Sequence, residues 1–408
     1  MSGENSVVVG GCGSVVTGAC SVIAGGKSHN LAGASGFVGG GFCNEALATS
    51  EYATIPGGQQ NSIAANADHG SIGGGQENVI TANACHGTIA GGQENKACAD
   101  YSTVAGGYQN CASGEQSFIG SGYRNVATGC RGVRVGGCSN TGCGPYSFIG
   151  GGDTNTDNGG CMTVIVGGSN NTLTGSVTGA FIGGGTNNKT CGKASFIGAG
   201  VGNSMGCTNS SYGVIVGGVD NCITGCHASI LGGSKNCALA NCTTVGGGNA
   251  NCIGSSGSGS TISGGASNNA NGTCSVIGGG GSNTTTTACF TVIAGGESNK
   301  ATSAHATVAG GKGNCACGTC SFVGGGVINQ ANSPTSIVVG GNQNIENSTC
   351  GNFIGGGLQN SICGSSTIST IAGGNANKIC HSNHSVIVGG TTNTLSGACG
   401  FIGGGTTN

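Results

Sequence analysis

Residues 101–114 read YSTVAGGYQNCASG, and residues 116–129 read QSFIGSGYRNVATG. Superimposed, the two keep a β-branched residue (Val104, Ile119), a small pair ending in glycine (Gly107, Gly122), an asparagine (Asn110, Asn125), an alanine (Ala112, Ala127) and a glycine (Gly114, Gly129) at the same spacing. Taking the second residue of the glycine pair as position 0, the same unit recurs 26 times from Gly11 to Gly405, at intervals of 15 to 18 residues. Position −3 is Ile or Val in 25 of the 26, with Arg134 the exception, and position +3 is Asn in 24, with Ser14 and His29 the exceptions.

A period this short and this regular describes stacked coils. The alternation around −3 and around +5 predicts two short β segments per coil, each followed by turn residues. The glycines at −1 and 0 suit a corner, and asparagine at +3 tolerates left-handed backbone and can bond to its copies in neighbouring coils. The predicted fold is an all-β parallel β-solenoid, or β-roll, of about 26 short coils, one continuous domain over residues 1–408 with no separate caps. Coils about 4.8 Å apart would make a rod of roughly 120 Å. Ile23, Ile119, Ile149, Ile230, Ile277 and Ile402 should form an inward ladder, and Asn110, Asn125, Asn140 and Asn155 a turn ladder.

Composition agrees. The chain has 408 residues with 93 Gly, 3 Pro, no Trp and 6% charged residues. That is too little large apolar material for a globular core, too little charge and proline for disorder, and the wrong period for collagen. A net charge of −2 gives no electrostatic case for a nucleic-acid partner. No stretch reaches the ~20 apolar residues of a membrane-inserting helix. No secretory signal peptide opens these 408 residues.

Position −4 is frequently apolar: Phe118, Phe148, Phe181, Phe196, Phe322 and Phe401 are examples. Neighbouring strand residues face opposite ways, so this stripe should point outward and need a partner. Side-by-side association of several chains, three being the expected number, would cover it. The alternative is a coil wide enough to bury both positions.

The pattern S-x-[IV]-x-G-G-x-x-N-x-A-x-G resembles the head repeats of trimeric autotransporter adhesins and the similar glycine-rich β-roll repeats of phage and large-virus tail fibres. The resemblance covers residues from about 5 to 408. It implies a left-handed β-roll, a homotrimer, and an extracellular or virion-surface setting. The 408 residues contain no stretch that reads as the coiled-coil stalk or anchor of an adhesin, or as a tail-fibre chaperone domain.

The 26 cysteines are phased. Eleven stand at −6 or −7, five at +4 and six at +6. Cys222, Cys237 and Cys252 occupy one phase in consecutive coils, as do Cys363 and Cys380, which makes them a candidate disulfide ladder. The competing reading is small semi-buried thiols. Five histidines stand at −6, and Cys85-His86, Cys226-His227 and Cys380-His381 lack a second pair at zinc-finger spacing. Glu77 and Glu94 stack at +2, an arrangement that could attract a cation but reads first as a solvated pair. Arg134, alone in charge at the inward phase, suggests a local register slip that turns it outward.

No catalytic set, metal site or cofactor is expected, and the chain is not expected to be an enzyme. A structural fibre assembled from copies of itself is the leading expectation. The alternative is an adhesin or receptor-binding head that recognises a host-surface receptor. Joining Asn408 of one chain to Met1 of the next nearly continues the period, so head-to-tail filaments are a further expectation.

Overall fold

The computed structural model describes residues 2–175, 177–206 and 210–408. All strands among them are two or three residues long, and none of these residues is helical. The chain divides into two compact units, Met1–Gly202 and Asn203–Asn408.

In the first unit, the coil around Gly107 has strands at Thr103–Val104 and Cys111–Ala112. Thr103 pairs in parallel with Thr88 of the coil before and Phe118 of the coil after, and Cys111 likewise with Lys96 and Val126. A third ladder of single bridges runs through +1, as in Gln93, Tyr108 and Tyr123. The second unit repeats the plan. Its strands Val276–Ile277 and Thr284–Thr285 pair with Thr261 and Val292, and with Asn269 and Lys300, and its bridges include Ala266, Gly281 and Glu297. Both units are therefore parallel β-solenoids, about 26 turns in all.

Four stacked columns fill the coils. Ile or Val at −3 and mainly Ile, Ala or Leu at +5 meet across the interior at essentially zero exposure, as at Ile119 with Ala127 and Ile230 with Ala238. Small residues at −5, such as Ser102 and Ser117, and asparagines at +3 complete it. Ile23, Ile149 and Ile277 are fully buried, and Ile402, in the last coil, is half-buried. A coil this narrow has room for two branched columns only because the other two are small or polar and bonded.

The asparagine column bonds along its whole length. Asn125 donates Nδ2–H to Asn110 Oδ1 (3.2 Å), Ser121 O (3.0 Å) and Gly137 O (3.0 Å), and its Oδ1 accepts from Asn140 N (3.0 Å). Asn140 and Asn155 repeat the pattern. The two sequence exceptions keep the column going. His29 N–H donates to Ser14 Oγ, and Asn44 N–H donates to His29 Nδ1 at 3.1 Å, so the buried imidazole stands where asparagine otherwise does.

One correction concerns the corners. The left-handed residue is the one before the asparagine, at +2, such as Gln109 (φ 57°) and Arg124 (φ 55°), while the asparagines themselves are absent from the positive-φ set. A second left-handed position lies at −6 in every coil, from Asn5 through His86 and Tyr101 to Cys399. The reason is in the hydrogen bonds. Strand amides donate to the following coil (Thr103 N to Ser117 O, Cys111 N to Asn125 O), whereas Tyr101 N and Gln109 N donate backward to Cys85 O and Gln93 O. Reversing an amide within a turn requires the positive φ. The glycine at 0 has φ between 79° and 112° throughout, and a Cβ there would strike the carbonyl oxygen of the next coil's glycine.

Arg134 is the other correction. It stays in register, paired with Ile119 and Ile149, points inward and is fully buried. Its Nη1 donates to Val133 O and Ser147 O, and its Nη2 to Ser147 Oγ at 2.9 Å. The slip is unnecessary because Gly142 occupies +5 opposite it, and the guanidinium fills the space a Cβ would take.

Candidate functional site

With the interior filled, chemistry is confined to the outer faces and corners. On the first sheet the outer face is made by −4 and −2, and no coil places Asp, Glu, Lys or Arg at either position. Phe118 and Phe196 are each 39% exposed, Phe148, Phe181 and Phe322 are half-buried, and Phe401, in the last coil, is 71% exposed. Phe181 and Phe196 stack with centroids 5.1 Å apart and planes 5° apart.

The two positions compensate. Each of the eight phenylalanines at −4 is followed two residues later by glycine, as in Phe118-Gly120, Phe148-Gly150 and Phe401-Gly403. The ring lies over that glycine, and a Cβ on Gly150 or Gly183 would sit 3.2–3.3 Å from the Phe148 or Phe181 ring. Where −4 is smaller, −2 is often larger, as in Val164-Val166, Val214-Val216 and Ser229-Leu231. Bulk at one position is thereby often offset at the other, although Ser71-Gly73 and Thr244-Gly246 are small at both. This pairing was legible in the sequence, had −4 and −2 been read together.

The second sheet's outer face, at +4 and +6, carries thiols. Cys222, Cys237 and Cys252 are register partners and remain free thiols, whereas Cys363 and Cys380 are bridged, with Cα atoms 4.7 Å apart. Cys315 and Cys317 are bridged within one strand and turn. Of the stacked thiols, the contact with Cys252 pulls Cys237 down to about 7 and pushes Cys252 up.

At the −6 corner, the shared left-handed geometry aligns rings. Tyr52, His69, His86 and Tyr101 form one column, with centroids 4.7–4.8 Å apart and planes within 6°. Tyr212 with His227 and Phe290 with His305 repeat it in the second unit. The spacing is that of the β ladder itself. Among the described residues no group of three or more His, Cys, Asp or Glu is placed to hold a metal ion, and no helix is long and apolar enough to cross a membrane.

Beside the second sheet, in the first unit, lies a groove of about 800 Å³ lined by Glu45, Glu77, Glu94, Lys96, Gln109 and Cys111 among others. Glu94 Oε2 accepts from Gln109 Nε2 at 2.6 Å and Glu77 Oε1 from Gln76 Nε2 at 2.8 Å. Glu77 and Glu94 thus line a groove and are tied to amides.

No protein-family model matches the chain. No curated protein matches it.

Proposed function

We propose that this chain is a non-enzymatic structural fibre protein whose coils wind left-handed and whose copies associate side by side, three together, on an extracellular or virion surface. The observation that carries the reading is the outer face at −4 and −2: free of charged side chains, with Phe, Val or Ile at 17 of the 26 −4 positions and Thr or Ser at the rest, and with each phenylalanine laid over a glycine. A face of this kind repeated coil after coil is costly to leave in water and suits a second surface of the same repeat. The repeat's resemblance to adhesin heads and tail fibres supports the hand and the number three.

Light scattering on the purified protein should return about three times the 38.5 kDa chain mass. Phe181→Asp with Phe196→Asp should reduce it to one chain mass while the β signal in circular dichroism is kept. A wild-type protein that stays at one chain mass at high concentration would overturn the proposal.

A further inference from the structure

Four lysines stand at +4, and each has a cysteine beside it. Lys96, Lys189 and Lys378 are followed two residues later by Cys98, Cys191 and Cys380, and Lys300 is the register partner of Cys315. Lys and Cys therefore recur together on this face in both units.

The arrangement is most developed at Lys96. Cys111 is its register partner on the next strand, and Cys98 lies two residues beyond Lys96 on the same side. The Cys98 and Cys111 sulfurs are 3.8 Å apart. The Cys98 hydrogen bond holds Cys111 down at about 6 against the opposing effect of burial, the Lys96 ammonium adds to the lowering, and the same bond pushes Cys98 up. On the other flank the register partner is uncharged Val126, and Arg124 is engaged with Gln109 Oε1. Cys111 opens on the groove, whose charged lining is Glu45, Glu77, Glu94 and Lys96. Three carboxylates against one ammonium favour a cationic visitor. Cys237 and Cys252 share the +4 phase but have only Cys222 and Asn269 as outer register partners, with no lysine.

We propose that Cys98 and Cys111 form a thiol–disulfide exchange site for small cationic disulfides, with Cys111 as the attacking sulfur and Cys98 as the resolving one. The Cys111 thiolate attacks one sulfur of R–S–S–R. A Cys111–S–S–R bond forms, the R–S–S–R bond breaks, and R–S⁻ leaves to take up a proton. Cys98 then loses its proton to solvent and attacks the Cys111 sulfur, forming Cys98–Cys111 and expelling the second R–S⁻. Two protein thiols are oxidised and one small disulfide is reduced to two thiols. Closing 3.8 Å to a bond of about 2.05 Å takes side-chain rotation, and this face already accommodates the Cys363–Cys380 bridge.

The test uses the full chain, reduced with a phosphine, then exposed to cystamine at pH 6 and mapped by acid quench, proteolysis and mass spectrometry. At that pH a thiol titrating near 6 outruns ordinary exposed thiols by about tenfold, since its larger thiolate fraction outweighs its lower nucleophilicity. The Cys98–Cys111 cross-linked peptide should therefore appear first, ahead of any product at Cys237 or Cys252. Cys98→Ser should trap cysteamine on Cys111. Lys96→Gln should slow the reaction at pH 6 and move its pH midpoint upward, and oxidised glutathione, an anion, should react more slowly than cystamine. Label spread evenly over the exposed cysteines, or a Cys98→Ser chain that collects no adduct at Cys111, would overturn the site. Equal rates with glutathione disulfide and cystamine would overturn its charge preference.

Discussion

At the scale of single residues, this fold depends on polar side chains placed where a globular protein would put apolar ones. Asn125 is fully buried and uses both its donors and its acceptor. Asn125→Ala strands the Ser121 carbonyl and the Asn140 amide, takes one of two donors from the Gly137 carbonyl, which keeps the Tyr123 N–H, and should cost about 2–3 kcal/mol or more. Asn125→Asp, almost the same shape, turns the donor into an acceptor facing two carbonyl oxygens and should cost more still. Thermal melts of the two variants decide it, and an aspartate variant as stable as wild type would remove the column from the account. Asp157 is the complementary case: a buried carboxyl at +5, held above its ordinary range by burial, with bonds from Thr163 Oγ1 and Gly160 N pulling the other way. Its folded state binds the proton more tightly than the unfolded chain does. The stability it contributes is complete below the ordinary carboxylate value of about 4 and is lost as pH rises through the raised one. Asp157→Asn should shrink the difference between melts at pH 4 and pH 7, and an unchanged difference would clear Asp157 of it. Residue-level reading of the sequence succeeded where one side chain meets its own copies. It failed at Arg134, whose placement depends on Gly142, eight residues on and across the coil. The clue was present, because the one Arg at −3 faces the one Gly at +5 within the same coil.

At the scale of the coil, two strands of two residues would be marginal alone, and the corners carry the specification. The paired glycines are unequal. Gly57 has open space where a Cβ would stand, whereas Gly58 has φ of 97° and the Gly75 carbonyl oxygen in that place. Gly57→Ala should change stability by no more than about 0.5 kcal/mol, and Gly58→Ala should lose several times that. Equal losses would mean the glycine pair is not read as two distinct positions. The strands and their inward phase were legible from hydrophobic alternation. The −6 corner was not, because its occupants range over Tyr, His, Cys, Thr, Arg and Met. What they share is a backbone amide pointing back to the preceding coil, and no side-chain pattern encodes that. The ring column from Tyr52 to Tyr101 follows from the corner. The Lys–Cys neighbours at +4 and +6 stand in the sequence itself, whereas the Lys96–Cys111 and Lys300–Cys315 pairings became visible only once the register of the second sheet was known.

At the scale of the whole molecule, variation in coil length is confined to one corner. The connection from first strand to second always has six residues, as at 24–29 and 56–61, while the return connection varies, with five residues at 32–36 and seven at 47–53. Stability should therefore be close to a sum over coils and their interfaces. Removing one whole coil, residues 108–122, joins Gly107 to Tyr123 and preserves every phase, so the product should fold with nearly wild-type thermal stability. Removing only 108–115 shifts the phase and should unfold the neighbouring coils. If the two deletions behave alike, the coil is not the unit of stability. The partners of each coil, at 15 to 18 residues' distance along the chain, carry one more implication. Nothing a coil in the middle of either unit needs for its ladders lies more than one turn ahead or behind. Such a chain can begin to fold while it is still being synthesised, each turn emerging from the ribosome onto a template finished seconds before, so that a long and slow-to-assemble parallel sheet never has to search for its partner strands.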